Sequence, residues 1–297
     1  MKVEILNKES DSGQYQFDKS PMNYIGNKYK LLWQIVPLFP KNIKTFVDLF
    51  CGGCDVVVNV TAKNKKANDY NENLIALYKA LQKHTSDYVV DYIKSTIKKW
   101  NLNTKNLNGF KRFREYYNET QNPLDLYVLS RFSYNYQIRF NNAKEYNSSF
   151  GYEKSKFNNV NKQNLIKFIN NIKNINFSSE DFKDYDFSNL DSNDFVYLDP
   201  PYLLAGDTYR YKSRESWNIE KDRELFEVMK ELNKKKVRFA LSNVIKHKNL
   251  VHEELIQFAK DNEFNIINLN YDYHNASSNL KDEHLNTITE EILLTNY

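Results

Sequence analysis

This 297-residue chain has few of the residues that crosslink or interrupt a fold: two cysteines, seven glycines and six prolines. Two cysteines three positions apart cannot form a disulfide framework, so we expect a reducing, cytoplasmic location. No apolar run approaches the roughly 20 residues of a membrane span, and the first residues lack the apolar middle of a signal peptide. We therefore expect neither a secreted protein nor one embedded in a membrane.

An excess of one charge is also missing. The 42 Lys and Arg against 38 Asp and Glu give a net charge of +4, which permits nucleic-acid binding without indicating it. Hydrophobic residues make up 41% and aromatic residues 15% of the chain, too much for a disordered protein. The length suits one large domain, or one domain that carries an insert.

Short apolar runs alternate with helical patterns, and this alternation is typical of an α/β fold. We predict a mostly parallel, seven-stranded sheet with helices on both faces, its last two strands pairing antiparallel because no helical pattern separates them. The predicted strands are 45–50, 65–71, 174–177, 194–198, 237–242, 264–270 and 290–296. The predicted helices are 72–83, about 220–233 and about 250–261, with a further apolar helix through 56–58.

Strand patterns disappear between about residues 85 and 170, where aromatic and basic residues interleave. We interpret this region as a helical insert. The predicted organisation is one domain formed by 1–84 and 171–297, interrupted by a second domain at 85–170. We expect a monomer or a weak dimer.

Both cysteines lie in the stretch FVDLFCGGCD (46–55), which has three interpretations. A zinc site needs about four ligands, and the five histidines offer no matching pair, so we expect no metal. A redox C-x-x-C pair between a strand and a helix stays open. A glycine turn that brings the backbone up to a nucleotide is favoured, since Asp48 precedes it and Asp69 lies about 20 residues on, at the end of the next strand. A loop that merely closes tightly is the plain alternative.

The strand at 194–198 ends in Asp199-Pro200-Pro201-Tyr202. The Asp199 carboxylate and the Pro200 carbonyl can together accept both hydrogens of a planar amino group. Tyr202 offers a flat face on which an extruded base can stack. The alternative is an ordinary turn in which the prolines only end the strand.

In the order of these motifs the chain resembles the Dam-type (alpha-group) DNA adenine methyltransferases, from Pro21 to Tyr297. The resemblance implies a Rossmann-like fold that binds S-adenosylmethionine, with Lys28 pairing with its methionine carboxylate and Asp69 with its ribose. Cys54 stands where the family has the third glycine of its cofactor loop. The implied cofactor-binding residues are Tyr24, Gly26, Asn27, Lys28, Asp48, Phe50, Gly52, Asp69, Asp181 and Asp199.

The insert matches the family's target-recognition pattern, with Tyr136 in place of a glycine and Ser149 in place of a proline. Arg pairs with guanine edges and Asn with adenine edges. The alternative is a solvated helix face. The implied DNA-binding residues are Arg131, Asn135, Arg139, Asn141 and Asn147, with Lys111, Arg112 and Arg114 as candidates for phosphate contacts.

The resemblance implies methyl transfer to the 6-amino group of a flipped adenine in double-stranded DNA, in a restriction-modification or Dam-like system. The implied catalytic residues are Asp199, Pro200, Pro201 and Tyr202. Two alternatives remain: a DNA-binding module that has lost catalysis, and a related methyltransferase acting on RNA or on a protein glutamine.

Overall fold

The computed structural model describes residues 4–5, 16–153, 155–205, 217–270 and 289–297. The strands are β1 (Glu4–Ile5), β2 (Ile43–Asp48), β3 (Ala62–Asn68), β4 (Ile175–Ser178), β5 (Phe195–Leu198), β6 (Arg238–His247), β7 (Leu250–Val251), β8 (Asn265–Leu269) and β9 (Thr289–Thr295). The helices are α1 (Leu32–Ile35), α2 (Glu72–Lys83), α3 (Ser86–Lys99), α4 (Leu107–Thr120), α5 (Pro123–Phe132), α6 (Asn159–Ile172), α7 (Ile219–Lys234) and α8 (Glu253–Asp261). Within these ranges no helix has the length and apolar character needed to cross a membrane.

All of these strands join one sheet in the order β4-β3-β2-β5-β6-β9-β8-β1, with β7 paired to the end of β6. The strands from β4 to β6 run parallel, and β9 runs antiparallel to both of its neighbours. The predicted mostly parallel sheet and the antiparallel last pair are confirmed. The seven longer strands are the seven predicted ones, and β1 and β7 add two residues each.

The predicted helix through Val56-Val57-Val58 is wrong, because the segment folds into successive tight turns. The backbone N–H of Cys54 donates to the carbonyl of Cys51 (2.6 Å), and that of Asn59 to the carbonyl of Val56 (2.9 Å). The Asn59 side chain then donates to the Asp55 carbonyl (2.7 Å), which a continuing helix would have used. Three β-branched residues in succession also favour a helix only weakly.

Each face of the sheet has its own hydrophobic core. Successive strand residues point to opposite faces, so Phe46 and Val47 of β2 enter different clusters. The Phe46 cluster contains buried residues of α2, α5 and α6, and the Val47 cluster contains those of α7 and α8. Helices therefore cover both faces, which leaves the strand ends as the place where loops can form a site.

The region predicted to be a helical insert contains α3, α4, α5 and nearly all of α6. Phe113, Tyr127 and Phe168 from these helices belong to the same buried cluster as Phe46 of the sheet. The helices thus share one continuous core with the sheet, and the domain boundaries at residues 85 and 170 stay a prediction.

Candidate active site

Three carboxylates gather where neighbouring parallel strands end. Asp48 ends β2, Asp69 follows β3 and Asp199 follows β5, and β2 lies between the other two strands. Burial raises the pKa of Asp48 well above its ordinary value, and the charges of Asp199 and Asp69 raise it further. In open α/β sheets ligands bind outside the carboxyl ends of the strands, so this edge is the candidate site.

The glycine loop (residues 51–54) is held in place by Asp69, the acid that follows the next strand, β3. The Gly52 N–H donates to one Asp69 oxygen and the Asn71 N–H to the other, both at 2.9 Å. Gly52 has φ +43° and Cys54 has φ +66°, so both occupy the left-handed region. Cys54 therefore adopts the conformation for which a glycine is usually needed, and the tight turn survives the replacement.

Neither cysteine has the character of a metal ligand or of an exchanging thiol. Both are free and buried, and burial raises the pKa of each thiol. Metal binding and disulfide exchange both require the thiolate, which burial disfavours. Among the described residues no cluster of three or more His, Cys, Asp or Glu is placed to hold a metal. The arrangement favours the interpretation as a ligand turn.

The segment that resembles the family's first cofactor motif packs directly on the glycine loop. A Cβ on Gly52 would lie 3.1 Å from the ring of Tyr24, so the two are in close contact. Gly26 has φ +82°, and its carbonyl accepts a hydrogen bond from the Lys28 side chain at 2.9 Å. Asn27 is exposed beside them. The structure brings the predicted residues Tyr24, Gly26, Asn27 and Lys28 to the edge of the sheet where the parallel strands end.

Lys28, Asp199, Tyr202 and Glu291 form the polar centre of the site. The Lys28 Nζ lies 2.9 Å from Asp199 Oδ1 and 3.9 Å from Glu291 Oε1. The Tyr202 hydroxyl lies 3.1 Å from Asp199 Oδ1 and 2.9 Å from Glu291 Oε1, and the Lys28 Nζ lies 4.9 Å from the centre of the Tyr202 ring. Burial raises the pKa of Asp199 to about 6, although Lys28 lowers it. Sequence reasoning missed Glu291.

An aromatic wall stands next to the glycine loop. Phe50 packs against Phe182 (5.5 Å between ring centroids) and Trp217 (5.7 Å). Asp181 precedes Phe182 and lies 3.7 Å from the Lys221 Nζ. The wall suits a flat base, and the carboxylates of Asp69 and Asp181 suit ribose and base hydrogens, so the residues present fit the nucleoside half of S-adenosylmethionine. Trp217 was also missed, since only the fold brings it here.

The predicted DNA-binding residues divide into exposed and enclosed groups. Arg131 is only 3% exposed, and its guanidinium carbon lies 4.9 Å and 4.7 Å from the ring centres of Tyr127 and Tyr136. The Asn141 side chain closes its own turn with the Ala143 and Glu145 N–H groups, at 3.0 and 2.9 Å. Arg114 is half-buried. The residues that face solvent are Lys111, Arg112, Asn135, Arg139 and Asn147, together with the backbone-bonded Asn141.

A buried Arg131 does not fit the predicted contact with a base edge, because its guanidinium would first have to leave two aromatic rings. It instead supports a strained segment. Asn135 has φ +51° and Tyr136 has φ +59°, a conformation that costs non-glycine residues free energy. The Asn23 side chain donates to the Asn135 carbonyl at 2.5 Å. The segment that carries the predicted readers is thereby joined to the residue that precedes Tyr24.

The sheet is mostly parallel, a glycine loop follows β2, Asp69 follows β3, and a DPPY turn follows β5. These features are together consistent with a methyltransferase fold. The chain belongs to the D12 class N6 adenine-specific DNA methyltransferase family, whose model matches residues 24–282. The family resemblance of the sequence is thus confirmed.

Three known proteins illustrate the relationship. The chain is 43% identical over 296 residues to the modification methylase StsI of Streptococcus sanguinis, and 43% identical over 298 residues to the type II methyltransferase M.FokI of Planomicrobium okeanokoites. Each match covers 98% of this chain but only 45% of the relative, so the chain spans less than half of their length. It is also 29% identical over 246 residues to the DNA adenine methylase of Escherichia coli, covering 80% of this chain and 84% of that protein.

Proposed function

We propose that this chain transfers the methyl group of S-adenosylmethionine to the 6-amino group of an adenine in double-stranded DNA, as part of a restriction-modification system. The observation that carries the proposal is the position of Asp199. It lies in the DPPY turn at the end of β5, ion-paired with Lys28, and its charge raises the pKa of Asp48 at the end of the neighbouring strand β2. Membership of the D12 family supports the same chemistry.

S-adenosylmethionine would supply a methyl group already activated on a positively charged sulfur. Asp69 can accept hydrogen bonds from the ribose of the cofactor, since each carboxylate oxygen keeps a lone pair beyond those used by Gly52 and Asn71. Phe50 and Trp217 offer the stacking surface for its adenine. Tyr24 contacts Gly52 of the loop. These assignments use the residues of this chain alone and need no metal.

The amino nitrogen of adenine is a poor nucleophile because its lone pair is delocalised into the ring. Asp199 and the Pro200 carbonyl, accepting its two hydrogens, localise that lone pair towards the methyl group. In the proposed transfer the N–C bond would form while the C–S bond of the donor breaks with its electron pair left on sulfur, and one amino proton would be lost. The Asp199 carboxylate is the adjacent acceptor for that proton. Extrusion of the base costs a few kcal/mol, which stacking on Tyr202 offsets.

We further propose that residues 85–170 form the target-recognition region. Lys111 and Arg112 are exposed on α4 and suit phosphate contacts, which set affinity but not sequence. Asn135, Arg139 and Asn147 are exposed and suit base edges. The hydrogen bond from Asn23 to Asn135 supports this assignment, since it holds the reading segment beside the cofactor segment.

The substitution Asp199→Ala tests the proposal. We expect it to abolish methyl transfer and to leave duplex affinity within about tenfold, because duplex binding rests on phosphate contacts made elsewhere. The matched control is Asp191→Ala, an exposed carboxylate before the same strand, which should keep parental activity. Transfer of tritiated methyl groups to a duplex library is the measurement. Parental rates for Asp199→Ala would rule out this active site.

The two alternatives are separated by substrate and cofactor measurements on the parental protein. A DNA-binding module without catalysis would bind duplex DNA but neither bind nor turn over S-adenosylmethionine. A methyltransferase for RNA or protein glutamine would label those substrates in preference to duplex DNA. Modified-base sequencing of DNA incubated with the protein identifies the methylated adenine directly, and with it the recognised site.

A further inference from the structure

The inference concerns Glu291 and rests on the proposed function. Glu291 lies in β9, far along the chain from every predicted site residue, yet its carboxylate is only 3% exposed and borders both Lys28 and Tyr202. Burying a carboxylate is costly unless it is paired. A buried acid that contacts two predicted site residues therefore calls for an explanation beyond packing.

The strand geometry directs Glu291 inward and its neighbour outward. Glu290 precedes it, forms an ion pair with Lys246 at 3.3 Å, and is 40% exposed at its side chain. Successive side chains of a strand point to opposite faces. The register of β6 against β9 also shifts between Val244 and Lys246, directly opposite these two glutamates. Bulges of this kind re-aim side chains and are frequent beside active sites.

The hydrogen bonds available to the Tyr202 hydroxyl indicate a specific role for Glu291. One hydroxyl hydrogen faces two carboxylate acceptors, Glu291 at 2.9 Å and Asp199 at 3.1 Å. A phenol has a single proton to donate, so when one carboxylate accepts it the other carboxylate receives no hydrogen bond from this hydroxyl. We propose that Glu291 is a positioning residue: it accepts the Tyr202 hydroxyl, fixes the ring, and leaves Asp199 free to accept the adenine amino group.

This arrangement makes the charge of Asp199 depend on Glu291. The groups that face Asp199 are Lys28 before α1, Glu291 on β9, Asp48 at the end of β2, and the hydroxyls of Tyr197 and Tyr202. Burial raises the pKa of Asp199 to about 6, Lys28 lowers it and Glu291 raises it. Removing the charge of Glu291 should therefore move the acid limb of activity to lower pH.

The experiment compares Glu291→Gln with Glu290→Gln, adjacent glutamates that differ in burial. For Glu291→Gln we expect kcat to fall about tenfold to a hundredfold, the loss expected for a hydrogen bond to a charged group, with little change in cofactor affinity. The midpoint of the acid limb should move below that of the parental protein. Glu290→Gln should leave kcat and the acid limb unchanged.

A double-mutant cycle with Tyr202→Phe adds an independent readout. If Glu291 acts through the hydroxyl, the loss in kcat from Tyr202→Phe and from Glu291→Gln should be clearly less than additive in the double variant. Full additivity, or a Glu291→Gln variant with lowered stability and affinity but an unmoved acid limb, would reduce Glu291 to a structural residue and overturn the inference.

Failure of the proposed function is distinguishable from failure of this inference. If the parental protein transfers no methyl group to DNA, the proposed function fails. The inference is then read from the titration of the Asp199 carboxyl by carbon-13 NMR in the parental protein and in Glu291→Gln. A lower Asp199 pKa in the variant supports it, and an unchanged pKa overturns it.

Discussion

The Lys28 Nζ lies 2.9 Å from Asp199 Oδ1, and the two side chains are 6% and 14% exposed. The family resemblance implies that Lys28 pairs with the carboxylate of the cofactor. The geometry gives the same ammonium group a second task, because it borders the acid that we propose accepts the adenine amino group. A buried ion pair at this position sets the protonation state of Asp199.

The first prediction concerns the pH dependence of methyl transfer. Burial raises the pKa of Asp199 to about 6, and the Lys28 charge opposes that rise. The proposed mechanism requires the Asp199 carboxylate, so activity should fall as the pH drops through about 6. Lys28→Gln removes the opposing charge, raises the Asp199 pKa, and should move the acid limb to higher pH. The measurement is kcat/KM from about pH 5 to pH 9.

Lys30→Gln is the control for the first prediction, since Lys30 is exposed in the same segment. It should leave the acid limb in place. An acid limb that does not move in Lys28→Gln would mean that the group titrating in the pH profile is not Asp199.

The parts of the site that follow one another along the chain could be predicted from sequence. Asp48, the glycine loop and Asp69 belong to one unit formed by β2, the loop and β3. The parallel pairing of β2 with β3 brings the ends of these two strands together. Helix α2 has its predicted bounds because Asn71 caps it, accepting from the Leu74 N–H at 3.2 Å. The predicted helix through Val56-Val57-Val58 was wrong because the hydrophobic pattern does not show that the Asn59 side chain competes for the Asp55 carbonyl.

Residues whose roles depend on long-range packing could not be predicted. In the stretch EEILLTN, alternation cannot decide which glutamate points inward, since that depends on the β6 register. Arg131 has the spacing of a base reader, but its environment is set by Tyr127 and Tyr136, on either side of it in sequence and folded onto it in space. Trp217 joins the aromatic wall only through the placement of α7.

The second prediction concerns the left-handed turn at Cys54, where φ is +66°. Glycine reaches this conformation without strain and alanine does not, so Cys54→Gly should be more stable than Cys54→Ala by about 1 kcal/mol. Cys51, which does not have a positive φ, is the matched control, and Cys51→Ala should be more stable than Cys51→Gly. Urea denaturation of the four variants provides the free energies of unfolding. The same order at both positions would contradict the strain argument.

The third prediction separates Arg131 from Arg139. Arg131→Met removes a buried cation from between two rings and should lower the free energy of unfolding by about 2 kcal/mol. Arg139→Met changes an exposed residue and should alter stability by less than about 0.5 kcal/mol, while relaxing the sequence preference. Denaturation and methylation of a randomised duplex library are the measurements. A stable Arg131→Met variant with an altered site preference would make Arg131 a base reader after all.

The fourth prediction concerns Asp55, which is 4% exposed and accepts the Ser20 N–H at 3.0 Å. Burial raises its pKa from 3.8 to about 6, so the folded state binds this proton more tightly than the unfolded state. The unfolded chain therefore releases the proton at lower pH, and the stability linked to Asp55 is complete below about pH 4 and lost as the pH rises towards 6. The loss is on the order of 3 kcal/mol.

Asp55→Asn keeps an oxygen for the Ser20 N–H but carries no charge, so it should stabilise the protein at pH values above about 6 and give no such gain near pH 4. Asp191→Asn is the control of opposite sign, because Lys44 and the Asn193 N–H lower the pKa of this exposed carboxyl to about 2. Any effect of that variant should therefore be a small destabilisation, present above about pH 4 and lost as the pH falls towards 2. Thermal unfolding of both variants and the parental protein, across this pH range, is the measurement. A pH-independent effect of Asp55→Asn would show that the buried carboxyl does not titrate as proposed, and that the Asp55 loop is held by its hydrogen bonds alone.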